Sequence, residues 1–372
     1  MRGLIGMQNK TFLYKGIYQA LRELILSGEL APEDKLPTED ELAQQYSVSK
    51  ITVKKALELL KEDGLILRVQ GRGTFVRRIE RPGERDSTKA PSRLIGLVLE
   101  HVSSSFGLNM MYYIDRRLEA AGYKLCIRFT FGSIEKETEE INDLLDMNVA
   151  GMIIMPCHDS HYNMTILKLI LENFPIVLVD KRMHGLPINS VCTDGREAMR
   201  LLVHHLKERG CQNAAMLTID PASTSSLGDR AEGFYKGLEE TRMRCAGEHI
   251  MPRRTGNMIS SDPEPQYVTE IGKYLDSIDR LPDAMVCTEY AIGRALYSAA
   301  HARGLEPGVD FKACCMDEDE LATRGSYFTH MRQDEAGLAE KTTEILLNLL
   351  NGTAGVQRDV RVPAIFRMGK TT

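Results

Sequence analysis

The sequence predicts a multidomain chain in which a small three-helix module precedes a larger α/β module of doubly wound sheets. Three observations carry this reading. Residues 80–92 are polar, contain Pro82, Gly83 and Pro91, and hold almost no large apolar side chain. Such a stretch cannot bury enough surface to fold and reads as a linker. Before it, apolar residues recur at helical spacing; after it, short apolar runs alternate with amphipathic helical patterns nearly to the end. The 372 residues suffice for two or three domains, and 43% apolar content is ample for buried cores. The expected boundaries are 10–79 for the first module, 80–92 for the linker and 93–369 for the second module.

In the first module Ile17, Leu21, Leu24 and Ile25 share one helix face, and Gly28 ends that helix. Thr38 is placed to cap a second helix, with Glu41 three residues on completing a capping box, and Leu42, Ala43 and Tyr46 facing inward. A short turn at Ser47-Val48 leads to Ser49, a second cap. The third helix runs through Lys61, burying Val53, Ala56, Leu57 and Leu60 and leaving Lys50, Ile51, Lys54 and Lys55 outward. Two short strands follow within Gly64–Val76, joined at Gly71-Arg72-Gly73. Three helices with a tight second turn, a basic start to the third and a ribbon tipped by Gln70 and Arg72 describe a winged helix-turn-helix.

Charge distribution agrees. The chain as a whole is −5, yet residues 48–79 carry eight Lys/Arg against three acids, a local +5. Neutralising phosphates supplies the sequence-independent part of duplex affinity, and this segment is where such charge is concentrated. The mean charge excludes a protein that coats nucleic acid along its whole surface.

In the second module the runs Leu94–Leu99, Leu125–Phe129, Met152–Met155, Ile176–Val179, Ala214–Ile219, Ala284–Cys287 and Ala313–Met316 are spaced as strands of parallel βαβ units. Ligands of such folds sit at the carboxyl ends of strands. The polar residues just past the runs are Ser103–Phe106, Pro156–His158, Asp180–Arg182, Glu289–Tyr290 and Asp317–Glu318, to which Arg230 and Gln333 are added. Carboxylates and an Arg pair with several hydroxyls while the Phe106 ring covers C–H faces, which suits a polyhydroxylated ligand. Acidic residues at strand ends also serve as helix caps, so each position taken alone has a structural reading too.

The motifs resemble two families. Leu36-Pro-Thr-Glu-x-Glu-Leu-Ala43, Val48-Ser-Lys-x-Thr-Val53, Ala56-Leu57-x-x-Leu60 and Gly64-Leu-Ile66 with Gly71-x-Gly-Thr-Phe-Val76 resemble the GntR winged-helix signature over residues 12–78. The resemblance implies that Thr38, Glu39, Ser49, Lys50, Ile51, Thr52, Lys54 and Lys55 meet double-stranded operator DNA, with Gln70, Gly71 and Arg72 acting from the wing. Lys50 stands where the family usually has Arg, and Lys lacks the planar fork that reads guanine bidentately. Farther on, Ile95-Gly96 with Phe106, Gly151-Met-Ile-Ile-x-Pro156, Pro175-Ile-Val-Leu-Val-Asp180, Arg230-x-x-Gly-Phe234, Ala284-Met-Val-Cys-Thr288, Cys315-Met-Asp317 and Thr329-x-x-Arg-Gln333 resemble the LacI/GalR sugar-sensing domain. That implies a periplasmic-binding-protein-like sensor of two subdomains, with Ser104, Phe106, Asp180, Arg230, Glu289, Asp317 and Gln333 at effector positions. Glu289-Tyr290 replaces the usual Asn-Asp pair. A homodimeric repressor released by a small carbohydrate is the expectation, with arabinose or a related pentose foremost.

Other chemistry is sparse. Eight cysteines without a Cys-x-x-Cys pair read as reduced thiols of a cytoplasmic protein, and Cys314-Cys315 as strand neighbours facing opposite ways. No run approaches the ~18 apolar residues of a membrane span, and residues 1–11 lack a signal-peptide core. His158-x-x-His161 has no matching third ligand, so no metal is expected, nor any cofactor. No nucleophile–base arrangement marks an enzyme. Left open are a GntR-type regulator answering another metabolite, such as a sugar phosphate, or acting as an activator, and a carbohydrate-binding or carbohydrate-active protein; a periplasmic transport receptor would need an export signal and no winged helix, and both point the other way.

Overall fold

The computed structural model describes residues 5–31, 34–69, 73–76, 92–157, 163–252, 265–318, 326–353 and 359–372. The chain forms two compact units, Met1–Lys89 and Ala90–Thr372. The wing tip Gln70–Arg72, residues 80–91 of the expected linker, and His158 with His161 lie outside the described residues.

In the first unit α1 (Ile5–Ser27), α2 (Glu39–Gln45) and α3 (Lys50–Glu62) precede β1 (Ile66–Val69) and β2 (Gly73–Val76). The expected inner faces meet: Ile17, Leu21, Ile25, Leu42, Val53, Ala56, Leu57 and Leu60 form one core with Leu36, Leu65, Ile66 and Val76. β1 and β2 pair antiparallel with Ile66 opposite Val76. A third rung, unmarked by any apolar alternation, joins this ribbon. Leu36 donates its N–H to Thr74 O at 2.8 Å and Val76 donates to Asp34 O at 2.9 Å, so residues 34–36 line the outer edge of β2. Ser47, in the turn between α2 and α3, takes a left-handed conformation with φ 51°.

The second unit holds two six-stranded sheets. The first begins with β3 (Leu94–Leu99), α4 (Leu108–Ala120), β4 (Lys124–Phe129), α5 (Ile134–Asp146), β5 (Gly151–Ile154), α6 (Met164–Leu171), β6 (Ile176–Val179) and β7 (Asn189–Thr193). The second takes α7 (Gly195–Glu208), β8 (Asn213–Ile219), α8 (Ser225–Thr241), β9 (Arg244–Met251), α9 (Pro265–Ser277), β10 (Ala284–Cys287), α10 (Tyr290–His301), β11 (Lys312–Met316) and β12 (Thr329–Arg332). The chain then returns to the first through α11 (Glu335–Leu350) and β13 (Val360–Val362), and ends in the second with β14 (Ile365–Arg367).

The strand orders are β13-β7-β6-β5-β3-β4 and β14-β12-β11-β10-β8-β9, parallel except where β14 runs against β12. The expected runs all became strands. Those without a solid apolar run, β7, β9, β12, β13 and β14, are not among those runs; β9 is a sheet edge with mostly exposed side chains. Cys314 and Cys315 do face opposite ways. Cys314 packs with Met199 and Val286, and Cys315 with Leu296 and Phe328.

The chain crosses between the sheets three times: after Thr193, after Arg332, and between Val362 and Ile365. Each crossing joins the two subdomains. Leu338, Ala339 and Leu346 of α11 fill the first subdomain's core beside Ile95, Ile153 and Val177, whereas Met199, Leu202 and Leu206 of α7 fill the second's.

Candidate nucleic-acid interface and effector site

The start of α3 is built by short-range bonds. The Thr52 N–H donates to the Ser49 hydroxyl at 3.3 Å, and the two hydroxyls lie 2.8 Å apart, so both polar groups are committed to the cap and Thr52 is buried. Thr38 does the same for α2: its hydroxyl accepts from the Glu41 N–H at 3.3 Å while its own N–H donates to the Glu41 carboxylate at 2.7 Å. That N–H, together with the Thr38 hydroxyl donating to the same carboxylate at 2.8 Å, holds the Glu41 carboxyl below the usual carboxylate range.

Lys50 pairs with Asp40, and Glu39 pairs with Arg68 of β1 at 2.9 Å. Lys54 and Lys55 are exposed on α3, the Lys55 ammonium standing 4.7 Å from the centroid of the Tyr14 ring. Ile51 is 81% exposed. The sequence-predicted residues of α2 and α3 therefore occupy one end of the helix pair, although Thr52 is buried and its hydroxyl bonds that of Ser49.

At the carboxyl ends of the sheets, Asp180 follows β6 and Asp317 follows β11 in matching ways. Both are buried, both take the left-handed conformation (φ 68° and 59°), and both donate their N–H to the neighbouring strand. The acceptors are Val191 O at 2.9 Å and Met331 O at 3.0 Å. A non-glycine residue in that region is uncommon, and strained positions concentrate at ligand sites.

Arg230, on α8, stabilises the charged form of each carboxylate, which brings residues of the two subdomains into one electrostatic field. Burial nonetheless pushes the Asp317 carboxyl up to about 6, against the pull of Arg230 and of two donors from Gln333. Those donors are the Gln333 N–H at 2.9 Å and its side-chain amide at 2.8 Å. Burial likewise raises Asp180. Arg230 donates to Thr288 O at 2.8 Å and keeps a buried Nε without a partner. Glu289, half-buried, is the next residue and opens α10 with no side-chain cap bond.

Phe106 packs half-buried on the first subdomain's core, and Ser104 is exposed beside it. Their turn is pinned by a residue the sequence did not single out. Glu335, first in α11, accepts from the Gly107 N–H at 2.8 Å and the Met110 N–H at 2.9 Å, capping α4 where Gly107 has no side chain to do so.

The run Asp180–Arg182, read as one group, separates into three roles. Lys181 turns to a buried pair with Glu100 and donates to Pro156 O at 3.2 Å. Arg182 reaches across to Asp229 of α8 in a two-pronged bond at 2.7 and 2.9 Å. Asp229, buried, also accepts from Arg361 of β13 at 2.6 Å, and Arg196 lies 3.5 Å away. This carboxylate therefore ties the second subdomain to two arginines of the first. Nothing local in the sequence marks it, since its partners lie 47 and 132 residues away.

Among the described residues, no group of three or more His, Cys, Asp or Glu is placed to hold a metal, and no helix is long and apolar enough to cross a membrane.

Comparison with known proteins matches residues 13–76 to the bacterial regulatory proteins of the gntR family. Residues 92–252 match the periplasmic binding proteins and sugar binding domain of the LacI family, and residues 203–372 a periplasmic binding protein-like domain. The chain is 26% identical over 355 residues to an arabinose metabolism transcriptional repressor of Geobacillus stearothermophilus, covering 92% of this chain and 93% of that protein. It is 26% identical over 278 residues to an arabinose metabolism transcriptional repressor of Halalkalibacterium halodurans, covering 74% and 72%. A Lac repressor dimer bound to operator and the anti-inducer ONPF shares the fold, with a TM-score of 0.64 at 22% identity, covering 79% of this chain and 98% of that one.

Proposed function

We propose that this chain, which joins a DNA-binding domain of the gntR family to a LacI-type periplasmic-binding-like domain, is a sugar-responsive transcription repressor. It acts as a homodimer whose two heads straddle a pseudo-palindromic operator, because two-fold protein symmetry imposes half-site symmetry. Its effector is a small carbohydrate, L-arabinose or a related pentose, in keeping with the names of the two relatives that match across most of their length.

The observation that carries the sensor half is the position of Gln333. It sits at a crossover and bonds Asp317 through its amide N–H and Thr193, at another crossover, through its oxygen at 2.7 Å. A ligand that recruits the Asp317 carboxylate thereby competes with a bond anchored at the hinge. Sugar hydroxyls donating to Asp180 and Asp317 and accepting from Arg230 draw the subdomains together, with Glu289, Ser104 and Phe106 completing the enclosure. In the head, Lys54, Lys55 and Lys50 neutralise phosphates at the start of α3 while Thr38, Glu39, Ser49, Ile51 and Thr52 set its approach, and Gln70, Gly71 and Arg72 act from the wing.

Coupling between the two sites is reciprocal and typically ~1–3 kcal/mol, or roughly 5–150-fold in affinity. The test is a titration of a duplex selected by the full chain, with and without L-arabinose and other pentoses. Release by a pentose supports the reading; DNA affinity indifferent to every sugar overturns the induction mechanism.

A further inference from the structure

We infer that Ile51 reads a thymine methyl group in the operator, making one T·A pair in each half-site a determinant of sequence choice. The inference rests on the DNA-binding reading of α3 and extends it.

The side chains at the tip of α3 divide by what they are free to do. Ser49 and Thr52 bond each other and cap the helix, and Thr52 is buried. Lys50 pairs with Asp40, and Lys55 stands over the Tyr14 ring. Only Ile51, at 81% exposure, projects an uncommitted apolar surface from the second position of the helix.

The surroundings make a protein partner a poor fit for this surface. Lys50, Lys54 and Lys55 flank Ile51, and residues 48–79 carry a net +5, which favours a polyanion. On a duplex, the residues at the start of a recognition helix meet base edges in the major groove. There the thymine C5-methyl is the one apolar feature, while every other edge group needs a hydrogen-bonding partner that Ile lacks. An Ile against a cytosine amine or guanine oxygen would leave that group dehydrated and unpaired, so the contact also discriminates against G·C.

The experiment uses the full chain. Duplexes are selected from a random pool, and each thymine of the selected sequence is replaced in turn by deoxyuridine, which removes one methyl and leaves base pairing intact. Burial of one methyl predicts that one position per half-site weakens binding about fourfold. The same replacement should have no effect on Ile51→Ala, whose thermal unfolding should match the parent because the side chain is exposed. If uracil weakens binding nowhere, or if Ile51→Ala keeps the thymine preference, the methyl readout is overturned while DNA binding stands. If no duplex is enriched, the DNA-binding reading falls and this inference with it.

Discussion

The Thr193 hydroxyl donates to the side-chain oxygen of Gln333 at 2.7 Å, joining two of the three crossover segments by a buried bond between residues 140 apart. A backbone bond reinforces the third, since Asp194 donates its N–H to Val362 O at 2.8 Å. Replacing Thr193 by Val keeps the shape and leaves the Gln333 oxygen without its donor. The expected loss is about 1–3 kcal/mol by chemical denaturation, accompanied by altered sugar affinity. An unchanged unfolding midpoint together with unchanged affinity would remove the bond from any role.

Asp317 gives a pH signature. Its carboxyl rises from an ordinary 3.8 to about 6, so the folded state holds this proton more tightly than the unfolded chain. Stability from this group is therefore greatest below about pH 4 and declines as pH rises to about 6, by roughly 3 kcal/mol in all. Denaturation across pH 4–7 should show this decline as a difference between the parent and Asp317→Asn. Sugar binding should run the other way: hydroxyls donating to the carboxylate favour its charged form, so affinity falls below pH 6, by at most tenfold per pH unit. Affinity flat from pH 5 to 7 would exclude Asp317 as a charged acceptor.

Asp229, on the second subdomain, holds two arginines of the first, and its removal should be felt at once. Asp229→Ala leaves Arg182 and Arg361 facing a buried gap. Breaking a buried pair costs about 3–5 kcal/mol, and the partial exposure of the arginines brings the expectation to roughly 2 kcal/mol. Calorimetric unfolding checks it. A loss below the error of measurement would mean that solvent already screens the cluster.

Gly233 lets α7 and α8 approach. A Cβ there would stand 2.1 Å from the Arg196 backbone oxygen, a contact no rotamer change relieves. Gly233→Ala should force the helices apart at a cost of about 1–3 kcal/mol or more, seen as a lowered Tm. Arg230 lies one turn away on the same helix, so sugar binding should weaken in parallel.

These residues also show what could be read from the sequence and what could not. The caps Thr38, Glu41 and Ser49 were legible because their bonds span three residues, as were the strands that are solid apolar runs. Asp180 and Asp317 were legible as polar residues past apolar runs, and Arg230 and Gln333 through their motifs; Arg230 lies more than one turn into α8 and Gln333 just past β12, not at a strand start. Glu335, Asp229 and the Lys181–Glu100 pair were not, because each acts on a partner remote in sequence and sits in no pattern of its own. The adjacent His204 and His205 diverge as helical neighbours must, one to Glu240 and the other to Thr372.

The interleaved path between the sheets bears on how the protein is born. During synthesis the first five strands of the leading sheet emerge well before α11 and β13, which come from the far end of the chain. Until then Ile95, Leu97, Ile153 and Val177 lack the cover of Leu338, Ala339 and Leu346, leaving a sticky half-built layer on the ribosome-bound chain. The last strands of the two sheets, β13 and β14, lie within a few residues of each other, so both lobes are completed only late in synthesis, and a chain stalled short of residue 335 would carry that uncovered layer of the kind chaperones engage.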